Sequence, residues 1–353
     1  MTRAAVVALA VSVVLAPSLP ALAQEKLTIT AVTQPLNTQP QFTRVDQVFL
    51  RDGLKAKSGG RIEVQISSHA ERGLGGQEVL RLVRAGQVDI GASPLSTVSG
   101  DVPFLDGVDL AGLHPDITLA RKVADALVPL ANKELERFGQ FIIATYPFPA
   151  QVVFCRQPVS SLADLKGRKV RTFGASLNDF VTAVGGQPVS IAFPEVYSAL
   201  ERGVADCAVT GTGSGNAAKW YEVTTHIYNL PVSWAVSAYY VNLAWWNKLD
   251  AATRDLVGKT MKEVEDAQWK LGAEASQDGI DCNAGKADTC KIHTLVKSRP
   301  MTIVEASAAD KATLKKIGET AVLPAWVKRC GARCGEIYNQ HAAPISGVKY
   351  AGN

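Results

Sequence analysis

Six cysteines are the most reactive side chains of this 353-residue chain: Cys155, Cys207, Cys282, Cys290, Cys330 and Cys334. In a reducing compartment such residues serve as thiols or metal ligands; in an oxidising one they pair. No CxxC or HxxxH spacing occurs, and His69, His114, His226, His293 and His341 are scattered, so zinc is not indicated. Cys282 and Cys290 bracket a short polar loop, and Cys330 and Cys334 lie close together around Gly331. Local bridges at both places leave Cys155 to pair with Cys207. This is the preferred one of the fifteen pairings that six cysteines allow.

The run Gly211-Thr212-Gly213-Ser214-Gly215-Asn216 sits between an expected strand and an expected helix, where nucleotide-binding turns occur. It fails as GxGxxG because Asn216 holds the last glycine position, and as a P-loop because no Lys-Ser/Thr follows. It fails as a nucleophile elbow because Thr212 stands where GxSxG needs glycine. Its glycines suit close approach of backbone to a ligand or a neighbouring lobe. Gly73-Leu74-Gly75-Gly76 reads as a turn before a helix that starts at Gln77. No serine, histidine and acid combination stands out. Catalysis and a cofactor are not implied.

The elements around these residues alternate between strands and amphipathic helices, which predicts an α/β fold. Strands are expected at residues 26–32, 61–67 and 88–92, with helices at 42–57 and 77–85 between them. A helix follows at 118–138. A second series begins near Phe141, with strands at 141–145, 151–155, 169–172 and 205–210 and helices at 178–184 and 194–202. Trp234 to Asn242 reads as one long strand that crosses between lobes. Residues 251–276 form a long helix, with others at 308–326 and 335–341. The architecture expected is two sheet-based lobes joined by several crossings.

Lys plus Arg number 37 and Asp plus Glu 33, a balance of +4 with no basic run, which excludes a nucleic-acid partner as the organising function. Met1 to Ala23 carries Arg3, an apolar run from Ala4 to Ala16, and Ala21-Leu22-Ala23 before Gln24. That is the pattern of a cleaved secretory signal, and it places the cysteines in an oxidising space. With this segment removed, no apolar stretch remains for membrane insertion. A periplasmic location is expected.

The densest cluster runs Ser161-Leu162-Ala163-Asp164-Leu165-Lys166-Gly167-Arg168-Lys169-Val170-Arg171 and continues through Phe193-Pro194-Glu195-Val196-Tyr197-Ser198-Ala199-Leu200. It closes with Gly203-Val204-Ala205-Asp206 and Lys219-Trp220-Tyr221-Glu222-Val223. This ordered set resembles the solute-binding proteins of tripartite ATP-independent periplasmic (TRAP) transporters, the DctP-like family. The likeness extends more weakly to Gly59-Gly60-Arg61-Ile62-Glu63-Val64 and to the segment from Arg84 to Gly91.

The resemblance implies a two-lobed periplasmic binding protein with a ligand cleft between lobes. Residues 24–148 plus 235–275 would form lobe I, and 149–234 plus 276–353 lobe II. It implies a small organic acid as ligand and the TRAP membrane subunits, driven by an ion gradient, as partner. Arg171 matches the arginine that binds the substrate carboxylate, a task suited to a planar, permanently charged fork of donors. Gln151 stands where sialic-acid-type relatives place a second arginine, and Thr210 where they carry asparagine. Losing one cation favours a monocarboxylate. Phe193 matches a residue that packs on ligand, and Cys207 replaces a usual glycine, which supports its pairing with Cys155. Gln34 and Ser93, in the loops after the first and third strands, are expected at the cleft. Trp234 is expected as an apolar wall near the hinge, and Gly211 to Gly215 as a loop that closes on ligand. The alternatives weighed are a binding protein of an ABC importer or sensor, told apart by genomic neighbours, and a secreted enzyme, told apart by turnover.

Overall fold

The structure, a computed structural model, describes residues 26–352; the expected secretory segment lies outside the described residues. Four strands open the chain: β1 (Leu27–Val32), β2 (Ile62–Ser67), β3 (Ile90–Pro94) and β4 (Gln140–Tyr146). Five follow: β5 (Gln151–Cys155), β6 (Lys169–Thr172), β7 (Gln187–Ser190), β8 (Cys207–Gly211) and β9 (His226–Ser233). The last two are β10 (Ser237–Asn242) and β11 (Thr302–Glu305). They form two sheets, ordered β2-β1-β3-β10-β4 and β11-β9-β5-β8-β6-β7. Each sheet is the floor of one lobe. The α/β, two-lobed architecture expected from the alternation is present.

Alternating apolar residues explain the first sheet. Ile29 and Ala31 of β1 and Ile62 and Val64 of β2 are buried beneath the helical segment Gln41–Gly53, whose Val45 and Leu50 complete that core. β9 and β11 are additions to the expected elements. Pro231 interrupts the apolar pattern of β9, and β11 pairs only with its first half, from His226 to Asn229. A four-residue edge strand leaves little signal in sequence.

The chain crosses between lobes at residues 147–150, from β4 to β5, and at 234–236, from β9 to β10. The crossings run side by side: the Phe148 N–H donates to the Trp234 carbonyl at 3.0 Å. The buried Asp109 carboxylate accepts from the Trp234 and Val236 N–H groups, each at 3.0 Å. Between those two bonds Ala235 is held at φ +42°, a conformation that costs an L residue energy unless its neighbours impose it. The expected strand from Trp234 therefore starts only at Ser237, because the hinge bend occupies the first three residues.

Helix Ala251–Asn283 is a third connection, 33 residues and about 50 Å long. Asp250 caps it by accepting from the Thr253 N–H. Its first half packs Val257, Met261 and Val264 on the first-lobe core, and its far end meets helix Thr212–Ala217 of the second lobe. The lobe break expected at 275/276 falls inside this unbroken helix. The glycine run corrects a further expectation. Gly213, Gly215 and their neighbours form a buried helix, not a loop free to close. A Cβ on Gly213 would strike the His293 ring, and one on Gly215 the Phe154 ring. The glycines are there for packing.

All three preferred disulfides form: Cys155–Cys207, Cys282–Cys290 and Cys330–Cys334. Cys155 lies directly opposite Cys207 on β5 and β8. This bond closes the longest loop, spanning 52 residues. Replacing both cysteines with alanine is expected to cost about 2–4 kcal/mol of unfolding free energy, read by urea titration against the wild type.

A fourth connection is ionic. Arg329, in helix Leu323–Cys330, donates to Asp106 at 3.3 Å and lies 2.8 Å from Asp179. Asp106 sits in the turn Pro103–Val108 that follows β3, and Asp179 in helix Ala175–Ala183 after β6, so one guanidinium ties both lobes. Burial pushes the Asp106 carboxyl up to about 7, with Arg329 pulling the other way. A carboxyl whose folded pKa lies above its unfolded value contributes stability at low pH that is lost as pH rises through the folded value. The stability of the wild type relative to Asp106→Asn should therefore fall between about pH 4 and pH 7 and level off above. Denaturant midpoints of the two proteins across that range would show it; parallel curves would place the Asp106 pKa near that of an ordinary aspartate.

Candidate functional site

A cavity of about 300 Å³ lies between the lobes, against the hinge. Phe148 and Ala235, from the two crossings, form part of its wall. The first lobe adds Pro35, Gln39, His69, Pro94 and Ser96; the second adds Gln151, Arg171, Asn178, Phe193 and Thr210. The lobes touch beside it. A Cβ on Gly174, after β6, would lie 2.5 Å from the Ser96 Cβ, after β3.

Arg171 is delivered by β6, whose alternation buries Val170 in the lobe core. The arginine itself is only 2% exposed. Its Nε donates to the Ile191 carbonyl at 2.9 Å and its Nη1 to the Val209 carbonyl at 3.0 Å. Nη2 has no protein partner among the described residues. The Phe173 and Phe193 rings lie 5.3 and 5.7 Å from the guanidinium carbon, within cation–π range. No carboxylate neutralises it. Burial without a counter-ion pushes its pKa down to about 9, which leaves the group charged at neutral pH. Among the described residues it is the one permanently charged side chain on the cavity wall.

Asn178 stands beside it, in the first turn of helix Ala175–Ala183. The Thr172 hydroxyl donates to the Asn178 Oδ1, so the amide nitrogen is left to donate elsewhere. That turn also leaves its first backbone N–H groups without helical partners, and the helix dipole is positive there. One end of the cavity is thus built for an anion.

The neutral groups on the wall are of another kind. Ser68 caps the short helix His69–Arg72 in a capping box with Glu71, which fixes His69 as the first helical residue after β2. Its Nε2 meets the Ala92 carbonyl of β3 at 2.8 Å. Burial pushes the imidazole pKa down to about 4, so the ring is neutral. Gln151 has its Nε2 tied to the Pro149 carbonyl at 2.8 Å, which leaves Oε1 as its free atom. The hydroxyls of Ser96, Thr210 and Ser214 can act either way.

Of the residues expected at the cleft, Arg171, Gln151, Thr210 and Phe193 line this cavity and Gln34, Ser93 and Trp234 do not. Gln34 turns into the first-lobe core, where its Nε2 donates to Asp46 at 2.9 Å. That buried carboxylate also takes Gln268 and Tyr239 as donors, and burial lifts its pKa to about 6. Ser93 is still inside β3, paired with Ala238 of β10, and packs under Gly76; the strand ends one residue later, so Pro94 reaches the wall instead. Trp234 faces away, its indole N–H donating to the His114 carbonyl at 2.9 Å, and Ala235 takes its place. Sequence reading missed His69, Asn178, Phe148 and Ser96. The Ser-x-x-Glu box at Ser68 is the one local signal that marked any of them.

Asp278, Cys282 and His293 bring ligand-type atoms within 4.8 Å of one another. They do not make a metal centre. Cys282 is spent in its disulfide, and the Asp278 carboxylate accepts from the Ile292 and His293 N–H groups and from the His293 ring.

Comparison with known proteins agrees with this geometry. The profile of the DctP family, described as bacterial extracellular solute-binding protein, family 7, matches residues 33–321. The 2,3-diketo-L-gulonate-binding periplasmic protein YiaO of Escherichia coli is 27% identical over 233 residues, 65% of this chain and 71% of that one. Two solved structures share the fold. DctP7, a Bordetella pertussis extracytoplasmic solute receptor binding pyroglutamic acid, superposes with a TM-score of 0.78 at 23% identity, covering 91% of this chain and 99% of that one. A TRAP periplasmic solute-binding protein of Desulfovibrio salexigens with bound orotic acid gives 0.79 at 20% identity, covering 91% and 100%. With two sheets, a cavity at their hinge and a family match over most of its length, the chain belongs to the DctP family of bacterial extracellular solute-binding proteins, which bind their solutes and do not transform them.

Proposed function

We propose that the chain, after removal of residues 1–23, captures a small monocarboxylate in the periplasm and hands it to the membrane subunits of a TRAP-type, ion-gradient-driven importer. The observation that carries this reading is the buried guanidinium of Arg171, held by two carbonyls and matched by no acid. An unpaired buried charge is costly, and an incoming carboxylate supplies the missing partner with charge-assisted bonds to Nη2 and Asn178. Relatives support a carboxylate: similar structures hold pyroglutamate, orotate, L-gulonate and, with two carboxylates, succinate. Related proteins are periplasmic by name, and no helix among the described residues is long and apolar enough to cross a membrane.

A single permanent cation selects for a single negative charge. The second carboxylate of a dianion would be buried without a partner, and an ammonium group would meet no acid on the wall. The aromatic rings and prolines suit an apolar or flat body. The lobes already meet beside the cavity, where Gly174 packs against Ser96.

A thermal-shift screen of the refolded, ligand-free protein against small acids tests this directly. Acid at a hundred times its dissociation constant should stabilise by about 2.7 kcal/mol. Arg171→Met should weaken binding about a hundredfold or more while the ligand-free variant still unfolds cooperatively. Equal shifts in variant and wild type would mean that Arg171 is not the anchor. Gly174→Val tests the lobe contact: it should weaken the same acid about tenfold, because the added atoms press on Ser96 across the cleft.

A further inference from the structure

We propose that His69 is a specificity-determining residue whose Nδ1 accepts a hydrogen bond from an N–H or O–H of the solute, so that the protein selects monocarboxylates carrying a donor over matching acids that lack one. The inference rests on the reading of Arg171 as carboxylate anchor.

The tautomer of His69 follows from its partner. A backbone carbonyl only accepts, so the ring nitrogen facing Ala92, Nε2, must carry the proton. In the neutral ring Nδ1 is then an acceptor and nothing else. Burial holds the ring neutral, with its pKa near 4, far below any periplasmic pH. Nδ1 has no protein partner among the described residues, and His69 is both buried and part of the cavity wall. Once a solute fills the cavity and displaces water, an acceptor on its wall left unmet costs free energy, so a solute that supplies a donor there gains over one that cannot.

Position adds direction. His69 belongs to the first lobe, at the end of β2, while Arg171 belongs to the second, at the end of β6. A solute bridging the closed cleft therefore presents its carboxylate to one lobe and its donor to the other. Gln151, on the second lobe, has its amide nitrogen bound to Pro149 and offers an acceptor of its own. The donors, Nη2 of Arg171 and the Asn178 amide, both come from the second-lobe segment between Arg171 and Asn178. A site with donors on one lobe and the fixed acceptor of His69 on the other fits an acid with a lactam N–H or a hydroxyl across from its carboxylate.

Isothermal titration of the refolded, ligand-free protein against three matched pairs reads this out. The pairs are pyroglutamate with its ring-oxygen counterpart 5-oxotetrahydrofuran-2-carboxylate, mandelate with phenylacetate, and 3-hydroxybutyrate with butyrate. In the wild type the donor-bearing acid of at least one pair should bind roughly ten- to a hundredfold more tightly than its partner. His69→Gln can keep the bond to Ala92 through its amide nitrogen but has no atom at the Nδ1 position, and should bring that ratio close to one. His69→Asn, which can set its Oδ1 there, should keep most of it. Arg171→Met should weaken both members of a pair alike. If the acids bind through Arg171 but wild type treats each pair equally, or if His69→Gln keeps the wild-type ratio, the role of His69 is overturned and the anchor stands. If none of the six acids binds the wild type, the anchor reading and this inference fall together.

Discussion

A guanidinium taken out of water without a counter-ion is the constraint around which this protein is organised. Arg171 is almost fully buried, and desolvation of a cation in such a place is expensive. Two backbone carbonyls and two aromatic rings offset part of that cost, and none of them neutralises the charge. The remainder is a standing preference for an anion. Holding that preference in place requires the parallel run of β6 beside β8, which brings Val209 to Nη1, and the turn after β7, which brings Ile191 to Nε. These contacts fix the guanidinium in one orientation on the cavity wall.

The connections between lobes serve the same end. Two crossing segments lie hydrogen-bonded side by side, and Asp109 pins one of them by two backbone N–H groups. The long helix from Ala251 runs past both lobes, and Arg329 links an aspartate from each side. Together these connections fix how the two halves of the cavity wall face each other. Ala235 sits in its unusual conformation because the bonds on either side leave it no other, and this puts a small side chain where the cavity needs room.

The neutral side chains of the cavity wall show how specificity can be set without charge. His69 and Gln151 are each committed to a backbone carbonyl by one nitrogen, and that commitment decides what their other polar atom can do. Hydroxyls adapt to either role. A ring or amide whose donor is already spent does not, and its remaining atom discriminates by refusing donorless solutes.

Much of the fold was legible because it depends on local periodicity. Alternation at 169–172 marked β6 and separated Val170 from Arg171, and the even cysteine count behind a secretory pattern led to the three disulfides that form. The Arg171 assignment came from an ordered set of motifs, each modest alone. What sequence order could not carry was the direction of individual side chains. Gln34 is captured by the buried Asp46, a partner brought in by a different element. Ser93 and Trp234 missed the cavity by one residue each, because a strand ended later, and another began later, than alternation suggested. The glycine run read as a flexible loop because nothing near it in sequence reveals His293 and Phe154 pressing on it. Residue types and their spacing determined the class of protein and singled out Arg171, the proposed anchor; the packing of distant segments decided which other side chains face the cavity, since a side chain turns toward whatever satisfies its polar atoms in three dimensions.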